Sequence, residues 1–173
     1  MSMIAVDMGS VYAMLDEMGD AAEAAARPAA QAAAQVLYDE VKRNVAAIPG
    51  KTGKLAQSIY QVYSQANSSD GRATYHVSWN ARKAPHGHLV EFGHVQRYVT
   101  YVGSDGNFYT AKRPSARGKR RPGRGASQAT KDEYYVTLPA PRQVAALAFV
   151  RRAQVKFPQA EAAAAEVLRR MIQ

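Results

Sequence analysis

Apolar and polar positions change period several times along this chain, and the changes mark out its elements. Residues 10–47 carry a helical pattern. Leu37, Val41, Val45 and Ile48 recur at helical spacing, with Asp39, Lys42 and Arg43 on other faces. Ten of the fourteen residues 21–34 are Ala, the best helix former. Pro28, set among them, fits either the first turn of a second helix or a kink. Pro49 and Gly50 stop the pattern. An alanine-rich face either buries little or lets another helix approach closely. Exposed Ala contributes little packing energy, which favours the second use.

Beyond a turn at residues 51–53, residues 55–64 turn Tyr/Val/Ile-rich and predict a short turn followed by a strand. Residues 67–71 are a loop by composition. Residues 74–80 alternate strictly. Tyr75, Val77 and Trp79 face one way and Thr74, His76, Ser78 and Asn80 the other, as in a half-buried strand antiparallel to the previous one. Residues 85–93 predict a short helix. Residues 98–102 and 107–111 predict a hairpin around Ser104, Asp105 and Gly106. Residues 134–138 return to strand character, and Pro139 and Pro141 predict an extended connector. The final segment is helical, with Pro158 in its first turn, Glu161 toward its positive end and Arg169 and Arg170 toward its negative end. Ala164, Val167, Leu168, Met171 and Ile172 form one apolar stripe on it. The order predicts an α+β class: a long N-terminal helical region, a small antiparallel β-sheet with a long loop, and a C-terminal helix packed with the first helix and on the sheet. A length of 173 residues fits one domain, 1–173.

Charge changes this picture in one place. The net charge is +9, and seven of the cations are Lys112, Arg113, Arg117, Lys119, Arg120, Arg121 and Arg124, with no acid among them. Leaving that stretch out, the remainder is close to neutral. Residues 112–131 break every periodicity and read as a flexible basic loop insertion, ordered only by a partner. The chain has no cysteine, which excludes disulfides and thiolate metal sites. Acids rather than Lys or Arg occupy the N-terminus, and no window approaches the ~20 apolar residues of a membrane span. We therefore expect a soluble, non-exported chain made in a reducing cytoplasm, with no membrane partner.

Two chemistries compete for attention. His86, His88, Glu91 and His94 could supply zinc ligands for an enzyme, but the spacing is not that of H-E-x-x-H, and no second region offers a nucleophile and a base. The basic segment 112–124 could bind nucleic acid by neutralising phosphates. It lacks interleaved aromatics, a recognition helix and any finger or RNP pattern.

Three separated stretches carry a resemblance. Thr52, Gly53, Leu55, Ser58 and Ile59 follow a T-G-x-L-x-x-S-I pattern. Residues 84–94, with Ala84, Leu89, Val90, Glu91, Phe92, Gly93 and His94, follow an A…E-F-G-T/H pattern. Phe149, Arg151 and Ala153 follow P-F-L-R-P-A, with Ala148 and Arg152 standing where that pattern has Pro. Together they resemble the minor tail or tail-completion proteins of long-tailed bacteriophages, including the Z-like proteins of lambda-type tails. The resemblance implies a non-catalytic virion subunit without cofactor or metal. It implies a ring of copies at the head-proximal end of the tail, sixfold by tail symmetry. Its partners would be the tail tube or terminator, the head connector and double-stranded DNA in the channel. It makes Gly53, Leu55, Ser58, Glu91, Phe92, Gly93, Phe149 and Arg151 structural positions. Gly93 is expected to take a positive φ and end a short helix. Phe92 would then be buried, with Glu91 at an edge pairing with an Arg. The seven cations of 112–124 are the expected DNA- or partner-facing patch.

Overall fold

The computed structural model describes residues 9–49 and 53–172, with side chains from residue 13 onward. The readings of the first eight residues, of Gly50 as a helix stop and of positions 51 and 52 lie outside the described residues. Helix α1 (Gly9–Ala46) is one uninterrupted helix with Pro28 inside it. Pro28 therefore starts no second helix. The helix bears the lost N–H and the ring because it is held from outside. Arg27 stacks its guanidinium over the Tyr63 ring, 4.4 Å from the centroid.

The strands form three antiparallel pairs rather than one sheet. Strand β1 (Ile59–Tyr63) pairs with β2 (Tyr75–Trp79), Gln61 standing opposite Val77. Helix α2 (Gly87–Phe92) follows, and then β3 (His94–Tyr98). Strands β4 (Thr100–Val102) and β5 (Phe108–Thr110) make the predicted hairpin. Helix α3 (Gln128–Tyr134) precedes β6 (Thr137–Val144), which pairs with β3. Pro139 and Pro141 thus lie inside a strand. They fall where the β3–β6 register jumps between Gln96 and Tyr98, so neither is asked for a ladder N–H. Six residues of 3₁₀-helix (Arg151–Lys156) lead into α4 (Phe157–Ile172).

Helix α4 packs along α1, while it is α1 that meets β1 and β2. The C-terminal helix is thus a partner of the first helix more than of the sheet. Small residues permit this. Ala25, Ala29 and Ala34 of α1 and Ala160 of α4 are buried, so the alanine-rich face is a helix-packing surface within the chain. The main core gathers Val41, Val45, Leu55, Ile59, Phe149 and Ala153. Phe149 stands edge-on to Trp79, with ring centroids 5.4 Å apart.

A second, smaller cluster of Ala116, Tyr134 and Tyr135, with Tyr98 against it, lies under the segment read as flexible. That segment is packed. A 3₁₀ turn (Pro114–Ala116) buries Ala116, Lys112 bridges to Tyr135, and residues from 128 onward are helix, not loop. Sequence periodicity missed this because the ties are made by side chains. Ser127 caps α3 by accepting from Thr130 N (3.2 Å). Arg113 Nε donates to Asp132 O (2.9 Å) and Tyr135 O (3.0 Å). Residues 94–144 thus form a lobe with its own small core.

Candidate interaction surface

The three motif stretches converge on the body. Leu55 and Phe149 share its core, and Ser58 Oγ donates to Leu55 O (2.7 Å), closing the turn into β1. Gly53 has φ +79 and Gly93 φ +72. At Gly93 a Cβ would come within 2.6 Å of Val144 O, so glycine is required both by conformation and by the close approach of β6. It ends α2, as expected.

The neighbouring pair is the reverse of expectation. Glu91 is 3% exposed and Phe92 65% exposed. Among the described residues the Glu91 carboxylate pairs with no Arg. It accepts from Val150 N (2.9 Å) and Arg151 N (3.1 Å), capping the 3₁₀-helix that leads to α4. Backbone bonds from Leu147 N to Val90 O and from Ala148 N to Glu91 O complete the clamp. Two N–H donors at a helix start offer a buried carboxylate more complete satisfaction than a mobile surface guanidinium. Arg151 therefore contributes its main chain, and its side chain is exposed.

This clamp also occupies the proposed zinc ligand. His88 Nδ1 donates to Pro85 O (2.7 Å), and His94 Nδ1 is buried without a partner among the described residues. Burial holds the His86 imidazole below its ordinary value, with Lys54 and then His88 adding to the effect. No three His, Asp or Glu side chains converge as a metal-binding group among the described residues.

The lobe carries the cations. Arg113 is tied into its interior, with Nη2 also donating to Thr137 Oγ1 (3.3 Å). Arg121 Nε donates to Tyr135 Oη (2.9 Å). Lys112, Arg117, Lys119, Arg120 and Arg124 are exposed. None of the seven makes an ion pair with a carboxylate among the described residues. A cleft is lined by Tyr98, Tyr135, Arg121, Arg124 and Lys131. Next to Lys131 of this cleft, Asp132 accepts from Gln128 Nε2 (2.7 Å), Tyr98 Oη (2.8 Å) and Arg97 (3.3 Å). These bonds, that from Gln128 foremost, hold its carboxyl below the usual range.

Residues 10–93 match the family described as "Bacteriophage HK97-gp10, putative tail-component". The match covers slightly less than half of the chain, from α1 through β1 and β2 to the end of α2. It supports a structural protein of a bacteriophage tail rather than an enzyme. It stops at Gly93, so the cationic lobe lies outside it, as do Phe149 and α4, which complete the body. No curated protein and no solved structure matches the chain. No helix among the described residues is long and apolar enough to cross a membrane.

Sequence reasoning missed three parts of this surface. Lys131 belongs to the cationic cleft although it lies beyond the basic run. The β4–β5 hairpin exposes Tyr101, Val102, Phe108 and Tyr109, and the first turns of α1 expose Met14, Leu15 and Met18. The signal was present as apolar residues on a hairpin and a helix end with nothing assigned to cover them.

Proposed function

We propose that this chain is a ring-forming subunit that completes the head-proximal end of a phage tail and joins it to the head connector. Residues 1–173 act as one tail-completion domain, with residues 112–131 as an insertion on it. The observation that carries this reading is the tail-component match over residues 10–93. Beside that body, the acids of the α1 end and the cations of the lobe make no ion pair with one another among the described residues. Copies of the same subunit, six by the symmetry of such tails, would surround a channel for double-stranded DNA. The tail tube or terminator would lie on one side and the connector on the other.

The test is the mass of the purified protein in solution by light scattering, alone and with purified tail tubes. A protein that caps tube ends and makes tails competent to join heads supports the reading. One that ignores tails but binds duplex DNA with a steep salt dependence would replace it with a nucleic-acid-binding function.

A further inference from the structure

Helix α1 outruns the helix that covers it. Its 38 residues span about 57 Å, against about 24 Å for the 16 residues of α4. Helix α4 begins beside the C-terminal end of α1, where Asn44 Nδ2 donates to Phe149 O (3.0 Å). It can therefore only run back along α1, and its last turn leaves Met171 and Ile172 partly exposed. Every side chain from residue 13 to 20 is exposed, and the first buried one is Ala25. Met14 and Met18 continue the stripe that Ala25 and Ala29 bury further along, with Leu15 beside it. The same end carries Asp16, Glu17, Asp20 and Glu23, and no Lys or Arg precedes Arg27. None of these acids is in the first turn, so the helix dipole does not account for them. None is ion-paired among the described residues.

The lobe presents the complement. It has exposed cations without carboxylate partners and a cleft with Arg121, Arg124 and Lys131 on its walls. The apolar side chains of the β4–β5 hairpin lie on the same lobe. The two surfaces do not meet within one chain. About 36 Å of helix separates Asp20 from Asn44 near the root of the lobe, and none of β3–β6 or α3 packs substantially on α1.

We infer that the acidic, methionine-bearing end of α1 of one copy docks on the cationic lobe of the next copy. This rests on the ring reading above and names the contact that builds the ring. The contact is head-to-tail: each subunit offers a helix end to one neighbour and a lobe to the other, an arrangement that closes into a ring when the rotation allows. An amphipathic helix laid on an apolar hairpin, with its acids toward a cationic cleft, is a recurring mode of recognition. The charges set its register and its salt dependence.

Charge reversal tests it, because every changed side chain is exposed. One variant carries Asp16→Lys, Glu17→Lys and Asp20→Lys, and the other carries Arg117→Glu, Lys119→Glu and Arg120→Glu, each checked for folding by circular dichroism. Self-association is read by light scattering and sedimentation, together with binding to a duplex DNA probe. Each variant alone should associate at least about tenfold more weakly than wild type. Mixing the two should restore assembly, since every contact in an alternating ring is again of opposite sign. Variants that still associate like wild type would overturn the inference and leave the tail role standing on another contact. So would a wild type that caps tail tubes yet stays monomeric at its highest soluble concentration. Lobe reversal that abolishes duplex binding without touching self-association would also overturn it and assign the lobe to DNA. Failure of tail capping by wild type would count against the ring reading itself.

Discussion

The body and the lobe are held together by different physics. The body closes around aliphatic and aromatic side chains, Phe149, Val41 and Val45 being the largest that are fully buried, and one buried carboxylate, Glu91, accepts from the N–H groups of Val150 and Arg151. The lobe has two short ribbons, a core of tyrosines and one alanine, and a mesh of polar ties through Arg113 and Asp132. Apolar burial is the larger and less solvent-sensitive contribution, whereas single hydrogen bonds contribute about 1 kcal/mol net. The lobe should therefore open locally before the body unfolds. The family match ends at the same boundary. The match covers the N-terminal part of the body, and both the lobe and the closing segment from Ala145 to Ile172 lie beyond it.

The largest effect is expected in the body. Phe149→Ala removes the ring packed on Trp79 and should cost about 4 kcal/mol, seen as a lowered urea midpoint for the whole chain. A loss below about 1 kcal/mol would mean that the body core is not what unfolds. Next comes the clamp. Glu91→Ala leaves the part-buried N–H groups of Val150 and Arg151 without their acceptor and should cost about 3 kcal/mol, while Glu91→Gln, which keeps one acceptor oxygen, should lose about 1. Equal losses for the two would argue against capping.

Effects in the lobe should be smaller and local. Arg113→Ala should speed hydrogen exchange across residues 112–137 by an amount corresponding to about 2 kcal/mol, with the global midpoint little changed. A global loss of the same size would mean that lobe and body unfold as one. The smallest effect sits at the hairpin tip. Asp105 accepts from Tyr109 Oη (2.6 Å) and from Asn107, and these bonds, the tyrosine's first, pull its carboxyl down to about 2. The folded value lies below the unfolded one, so the contribution is present above the ordinary carboxylate range and is lost as pH falls toward 2. Nuclear magnetic resonance signals of Asn107 and Tyr109 should titrate with a midpoint near that value. A midpoint near ~4 would show an unbonded carboxylate.

The same contrast explains what the sequence disclosed. Elements with long or strict periodicity were legible: α1, the alternation of Tyr75, Val77 and Trp79, α2 ending at Gly93, and α4. The hairpin followed from Asp105 and Gly106. The lobe resisted because its order comes from side-chain bonds between distant residues, such as Arg113 to Tyr135, which leave no period. Strand β3 was hidden because its partner is a proline-bearing strand with a register jump. Glu91 and Phe92 were exchanged because a glutamate next to a phenylalanine reads as the polar one outside. Only the fold brings the N–H groups of Val150 and Arg151 to the carboxylate and makes burying it the better arrangement.

Immunogold labelling of purified phage particles, with antibody raised against this chain, tests the central claim most directly. A structural tail subunit at the head-proximal end predicts label at the head–tail junction of intact particles and on the tail ends of particles dissociated there. Protein abundant in infected-cell lysate but absent from purified particles would contradict it.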